Sequence, residues 1–120
     1  MSPDELQTLI ADAAYENAMG ETAPAIEKLR RATAAAPGSF EAWHALAEIS
    51  FSAGDLETAL EAATHAHAIQ PNDLLINTSL SRIWMEKGDK ARAEHFGAQA
   101  KIQGWKEQLK SPSGDAGGLR

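Results

Sequence analysis

The stretch Ala42–Pro71, AWHALAEISFSAGDLETALEAATHAHAIQP, decides the fold, because it contains two helical segments separated by a short break. Its residues are mostly good helix formers, yet Gly54 and Asp55 interrupt the run near its middle. Gly54 lies 34 residues from both Gly20 and Gly88. The same interval relates two sets of alanines, which are Ala25, Ala59 and Ala93, and Ala32, Ala66 and Ala100. A fixed period of this length predicts repeated helical units.

The limits of the predicted helices are marked by residues that start or stop helices. Ser2-Pro3-Asp4-Glu5 is a capping box with proline at the first helical position. The residues expected to cap the later helices are Thr22, Ser39, Asp55, Asn72 or Asp73, and Asp89. The three glycines supply the left-handed residue that ends a helix, and Pro37 and Pro71 prevent its continuation. We therefore predict a turn between antiparallel helices at Gly54.

Composition and charge exclude several classes of protein. The net charge is -6, with acidic and basic residues mixed along the 120 residues, which argues against nucleic acid or an anionic membrane as the main partner. The lack of cysteine excludes disulfides, thiolate metal sites and cysteine nucleophiles. No signal peptide and no run of about 18 apolar residues is visible. We therefore expect a cytoplasmic protein that binds neither nucleic acid nor a membrane.

The pattern of large and small residues resembles the tetratricopeptide repeat. That family has a large residue at position 4, Leu at 7, a small residue at 8, Gly at 15, Ala at 20 and 27, and Pro at 32. The middle repeat of this chain has Trp43, Leu46, Ala47, Gly54, Ala59, Ala66 and Pro71 at these places. The other two repeats follow the pattern with four departures: Asp12 in the first repeat, and Asn77, Gly97 and Trp105 in the third, where Gly97 replaces the aromatic or aliphatic residue of position 24.

The resemblance implies an all-α, right-handed α-solenoid of three helix-turn-helix units, with six helices in all. We predict one domain over residues 1–110, with repeats at 6–39, 40–73 and 74–107, and a disordered tail at 111–120. Tyr15 and the three Trp residues lie at helical spacing and are expected to serve packing. Small residues on paired helices, such as Ala47 and Ala59, are expected to let the two backbones cross closely.

The end of the third repeat differs from the other two, because Trp105 stands where they have proline. The last helix is therefore predicted to continue past Gly104 through the sequence WKEQLK. Two roles stay open for this extension. It caps the solenoid, or it leaves an uncapped surface through which the protein forms a weak homodimer.

In this family the first helix of each repeat lines a concave groove, at positions 2, 5, 9, 12 and 13. On that basis the partner-binding residues are expected to be Gln7, Ile10, Asn17, Glu41, His44, Glu48, Phe51, Ser52, Thr78, Arg82, Met85 and Glu86. Helical spacing independently places Glu41, His44, Glu48 and Phe51 on one face. Such a mixture of apolar and acidic side chains suits a peptide or helix with an apolar anchor and a basic residue.

Motifs for catalysis or metal binding are missing from the sequence. It has no nucleophile elbow, phosphate loop or zinc-protease helix, and Glu41-x-x-His44 lacks the further ligands of a di-iron site. The basic clamp that holds acidic chaperone tails in some family members is also missing. We expect neither an enzyme nor a cofactor, but an adaptor that binds a peptide or helix of a partner protein. The alternative is a structural protein that self-assembles through its C-terminal repeat.

Overall fold

The computed structural model describes residues 1–110, which form six α-helices and no strand. The helices are α1 (Pro3–Ala18), α2 (Thr22–Ala35), α3 (Phe40–Ser52), α4 (Leu56–Ile69), α5 (Leu74–Glu86) and α6 (Lys90–Lys110). The all-α fold class is therefore confirmed. The tail predicted at 111–120 lies outside the described residues.

Left-handed glycines end three of the helices, as predicted. Their φ angles are +88°, +82° and +86° for Gly20, Gly54 and Gly88. At the second turn the N–H of Asp55 donates to Ser50 O at 2.9 Å, and the N–H of Gly54 donates to Phe51 O at 3.0 Å. This pair of bonds is a Schellman motif, which satisfies carbonyls that the last helical turn leaves open. The motif reverses the chain within a few residues, so α4 returns along α3.

Side-chain caps begin five of the six helices. The N–H of Glu5 donates to Ser2 Oγ at 3.1 Å, and the N–H of Ser2 donates to Glu5 Oε1 at 2.8 Å. These two bonds complete the predicted capping box. The other capping side chains are Ser39, Asp55, Asp73 and Asp89. The prediction for Thr22 is wrong. Glu21 precedes α2, and Thr22 lies inside the helix, where its hydroxyl donates to Asn17 Oδ1 at 3.1 Å.

The first compact unit comprises residues 1–71 and contains α1 to α4. Within it α1 packs on α2, α2 on α3, and α3 on α4. Four alanines of these helices are completely buried at the positions that the sequence reserves for small residues, namely Ala13, Ala25, Ala47 and Ala59. Because buried methyl groups allow short distances between helix axes, this unit has a closely packed core built with few large side chains.

Polar and aromatic contacts hold α3 in place within this unit. The indole N–H of Trp43 donates to Pro37 O at 2.8 Å, and its ring stacks on His65 of α4 with centroids 4.1 Å apart. One guanidinium N–H of Arg30 on α2 donates to the hydroxyl of Thr58 on α4 at 2.9 Å. The Trp43 contacts join α3 to the preceding turn and to α4, and α3 carries five of the twelve predicted partner-binding residues.

The second compact unit begins at Asn72 and contains α5 and α6. The hydroxyl of Ser81 donates to Ala93 O at 2.7 Å, and a Cβ added at Gly97 would lie 3.2 Å from that hydroxyl oxygen. Gly97 therefore departs from the repeat pattern because α5 and α6 approach closely at Ser81. Asn77, another departure, is buried and donates to Asp73 O at 2.8 Å. As predicted, α6 passes through Gly104 and continues to Lys110.

Candidate functional site

Eight of the twelve predicted partner-binding residues lie on α1 and α3, two helices of the first unit that contact each other. We define them as the inner face; they are Gln7, Ile10, Asn17, Glu41, His44, Glu48, Phe51 and Ser52. Gln7, Glu41 and Ser52 are exposed, and the other five are half-buried. The inner face is therefore a surface of partly covered apolar groups bordered by exposed polar ones.

The α3 part of the inner face is organised around His44. Its Nε2 lies 3.8 Å from Glu48 Oε2, one helical turn further on, and its ring stacks on Phe40 with centroids 5.5 Å apart. The His44 and Glu48 side chains remain 23% and 40% exposed. Helical spacing correctly predicted that these two groups lie together. The ring of Phe40 covers part of the imidazole.

The α1 part of the inner face contributes fewer free polar groups than the sequence suggests. Asn17 Oδ1 accepts the hydrogen bond from Thr22, so this side chain helps to order the turn between α1 and α2. Ile10 is half-buried and supplies an apolar patch, while Gln7 is exposed. Of the predicted α1 residues, Ile10 is thus the best suited to receive an apolar anchor.

The remaining four predicted residues belong to α5 in the second unit. The hydroxyl of Thr78 donates to Leu74 O of its own helix at 2.9 Å, so it offers a ligand only acceptor lone pairs. Arg82 and Glu86 are exposed, and Met85 is 55% exposed. These residues form a strip on α5 with an apolar side chain beside one cation and one carboxylate.

The shifted pKa values of the structure belong to capping carboxylates. Hydrogen bonds from the side chain and the backbone N–H of Thr58 lower the pKa of Asp55, and the charge of Arg30 acts in the same direction. The backbone N–H of Ser2 lowers the pKa of Glu5. The backbone N–H of Arg92 lowers that of Asp89. Each shift stabilises the ionised carboxylate at a helix start, so these groups have structural roles.

A second surface, which the sequence analysis did not identify, lies on the other side of α1. Two open depressions of about 500 and 350 Å³ are found there, and they share Asp12. Their other lining residues include Tyr15 and Met19 in the larger one and Met1, Asp4 and Leu9 in the smaller one. No inner-face residue lines either depression. Tyr15 is 67% exposed and Trp105 is 59% exposed, so the expectation that these two residues serve packing is wrong.

The 34-residue interval could have revealed this surface. Moving one or two intervals along from Asp12 leads to Leu46 and Leu80, each only 2% exposed. The equivalents of Tyr15 are Ile49 and Ile83, which are also buried. A polar residue at a position that is apolar in both other repeats indicates that this face of α1 meets solvent or a partner.

Residues 1–110 contain no group of three His, Asp or Glu side chains arranged to hold a metal ion. In the same range, none of the helices combines the length and the apolar character needed to cross a bilayer.

Comparison with protein families gives a match to part of the chain. The family model described as tetratricopeptide repeat matches residues 4–49, which include α1, α2 and most of α3. A search of curated proteins finds no match.

Solved structures share the fold over most of the chain. MamA superposes with a TM-score of 0.81 and 21% identity, covering 87% of this chain and 61% of MamA. PcrH, solved in complex with the chaperone-binding region of PopB, gives a TM-score of 0.81 and 18% identity, covering 97% of this chain and 90% of PcrH. SycD, a type III secretion translocator chaperone of Yersinia enterocolitica, gives a TM-score of 0.82 and 15% identity. The match covers 94% of this chain and 75% of SycD.

These comparisons agree with the pattern of glycines and buried alanines. Identities this low establish a shared fold, and the chain spans less than two thirds of MamA. Residues 4–49 are therefore similar to the tetratricopeptide repeat, and the chain as a whole shares its all-α fold with these solved structures.

Proposed function

We propose that the protein is a non-catalytic adaptor that binds a peptide or helix of a partner protein on the inner face. The observation that carries this proposal is the α3 surface, where half-buried Phe51 lies on the same helical face as the His44–Glu48 pair. Phe51 offers an apolar contact, and the Glu48 carboxylate beside it offers a polar contact that orients the ligand. Because Trp43 fastens α3 to its neighbours, this surface is formed before a ligand arrives.

The charge of the two helices indicates the chemistry of the partner. α1 and α3 together contain six carboxylates and no Lys or Arg. Two of these carboxylates, Glu41 and Glu48, lie on the inner face and favour a basic segment there, because unlike charges across an interface increase both association rate and specificity. We therefore propose a ligand with an apolar side chain for Phe51 and Ile10 and a Lys or Arg beside Glu48.

Proteins of the same fold support a protein partner. PcrH was solved with a segment of PopB, and SycD is named a translocator chaperone. Binding of extended or helical peptides by stacked helices is one of the recurring recognition modes. The absence of catalytic activity and the cytoplasmic location stay predictions from the sequence.

Binding of a basic apolar peptide tests this proposal. Fluorescence anisotropy would compare the affinities of the wild type, Glu48→Lys and Phe51→Ala for labelled peptides with Lys or Arg flanking a large apolar residue. Each substitution should weaken binding by on the order of tenfold or more, as is typical of a central interface residue. Glu61→Lys is the matched control, because it makes the same charge change at an exposed position of α4. Equal affinities for Glu48→Lys, Phe51→Ala and the wild type would show that the inner face is not the binding site.

Self-assembly is a second candidate function, and one observation favours it. The C-terminal part of α6 exposes Ile102, Trp105 and Leu109 on one helical face. None of these residues belongs to the inner face, so substitutions can test the two candidate functions independently.

A further inference from the structure

The exposed side of α6 has the composition of an interface core with a basic rim. Ile102, Trp105 and Leu109 follow the spacing i, i+3 and i+7, and they are 38%, 59% and 76% exposed. The ammonium group of Lys101 lies 5.9 Å from the centroid of the Trp105 ring, and Lys106 lies on the next residue of the helix. We define these five residues as the α6 stripe. Aromatic and aliphatic groups so exposed are typical of a surface that binds something.

The outer side of α1 has the complementary composition. Asp12, Tyr15 and Met19 also follow i, i+3 and i+7, and the Tyr15 and Met19 side chains are 67% and 63% exposed. Asp4 and Asp12 are exposed at the edge of the depressions on this side. We define Asp4, Thr8, Asp12, Tyr15 and Met19 as the α1 outer face. It is an apolar surface whose rim is acidic on balance: the depressions beside it are lined by five carboxylates, on Asp4, Glu5, Asp12, Glu16 and Glu21, and by the two cations of Lys28 and Arg31, of which Lys28 pairs with Glu16.

Comparison of equivalent positions, 34 and 68 residues further along the chain, explains why the α1 outer face can bind a partner. The equivalents of Thr8 are Ala42 and Ile76, both completely buried. The equivalents of Asp12 and Tyr15 in α3 and α5 are buried as well. The same set of helix positions is therefore covered by protein in α3 and α5. In α1 these positions form the α1 outer face, which is exposed and carries both polar and apolar side chains. It can therefore face solvent and also accept an apolar partner.

The charges of the chain are divided between its two units, which corrects the expectation that they are mixed throughout. Residues 1–71 contain eleven Asp and Glu against three Lys and Arg, a formal charge of -8. Residues 72–110 contain five Asp and Glu against seven Lys and Arg, a formal charge of +2. The contrast is greatest between α1, with four carboxylates and no Lys or Arg, and α6, with five Lys and Arg and two carboxylates.

We propose that the α6 stripe of one copy docks on the α1 outer face of a second copy, so that the molecules associate head to tail. This inference rests on the second candidate function and is independent of peptide binding on the inner face. Charge complementarity selects the occupant, because Lys101 and Lys106 would meet the rim carboxylates of α1, whereas two α6 stripes facing each other would bring lysines together. Since the two surfaces differ, a copy docked through one of them keeps the other for a further copy, and assemblies grow unless a ring closes.

Two variants that each lose one surface give a direct test. Asp12→Lys reverses the charge of the α1 outer face and keeps the α6 stripe, while Trp105→Ala removes the centre of the α6 stripe and keeps the α1 outer face. Sedimentation velocity over a wide dilution series should show wild-type assemblies that grow with concentration. Each variant alone should associate more weakly, by on the order of tenfold or more. Their equimolar mixture should form a dimer that does not grow, because it contains one working pair of surfaces.

Controls distinguish this proposal from its competitors. Glu61→Lys should assemble like the wild type, and Glu48→Lys should lose peptide binding while still assembling, so the two proposals can fail separately. Circular dichroism checks that each variant is folded, and Lys106→Glu combined with Asp12→Lys should recover part of the association lost by either change alone. A wild type that stays monomeric at all concentrations overturns the inference. So does undiminished self-association of Asp12→Lys, which would mean that α6 pairs with α6 or with another surface.

Discussion

At the scale of single residues, two serines at the first helices of their repeats have opposite surroundings. Ser50 on α3 is completely buried, and its hydroxyl has no hydrogen-bond partner among residues 1–110. Ser81 on α5 donates to Ala93 O at 2.7 Å. A buried hydroxyl without a partner has lost its bond to water and gained none, whereas a satisfied one has exchanged one bond for another.

The two substitutions to alanine should therefore change stability in opposite directions. We expect Ser50→Ala to raise the free energy of unfolding by about 1 kcal/mol and Ser81→Ala to lower it by about 1 kcal/mol. Urea unfolding followed by circular dichroism would measure both, and each variant serves as the control of the other. Destabilisation by Ser50→Ala of the same size as by Ser81→Ala would show that the Ser50 hydroxyl is satisfied in solution.

Sequence patterns predicted residues whose roles depend on local geometry. The glycine turns and the capping box are examples, since a left-handed φ and a bond to the third residue are set by neighbours in the chain. Thr22 shows the limit, because a cap-type residue one position too late lies inside the helix. The partner of Asn17 and the exposure of Tyr15 depend on how α1 meets α2, which spacing along one helix does not contain.

At the scale of helices, the acidic caps make stability depend on pH. The pKa of Asp55 is lower in the folded chain than its ordinary value of 3.8, because it accepts bonds from Thr58. A lowered folded pKa contributes stability that is fully present above the unfolded pKa and is lost as pH falls through the folded pKa. Glu5 and Asp89 follow the same rule, so acid should loosen three helix starts together.

Replacing one of these caps by a neutral one isolates its contribution. Asparagine caps a helix about as well as aspartate but does not titrate. We expect Asp55→Asn to lose less stability than the wild type when the pH falls from about 5 to about 2. Thermal unfolding at a series of pH values would measure this difference. Asp4→Asn is a suitable control, since Asp4 lies inside the first turn of α1 and does not cap a helix. Parallel pH profiles for all three proteins would mean that Asp55 does not contribute through its cap.

The order and extent of the helices could be predicted from the sequence, but which helix faces are exposed was harder to predict. Trp105 in place of proline correctly indicated that α6 continues, because nothing else in that segment stops a helix. The α1 outer face was missed because Asp12 was treated as a departure from the pattern. Compared with Leu46 and Leu80, it is better understood as the change that keeps an unpaired helix face compatible with water. The partner-binding role of the inner face remains a prediction at every one of its residues.

At the scale of the whole molecule, the division of charge gives the chain two chemically different units. A net charge of -6 conceals this, since it is the sum of a strongly acidic first unit and a weakly basic second one. The boundary at residue 71 had to be known before the charges could be counted on each side. Rim charges of this kind are screened by salt, so head-to-tail association should weaken as ionic strength rises.

Open chains have a property that closed dimers lack, namely that a molecule with one working surface terminates them. Adding a small proportion of Asp12→Lys to the wild type should lower the average mass measured by light scattering, because this variant docks through its α6 stripe and offers no acceptor to the next copy. Trp105→Ala should act in the same way at the opposite end. Glu61→Lys keeps both surfaces, so the same proportion should leave the mass unchanged. If all three additions had equal effects, growth would not proceed through two different surfaces.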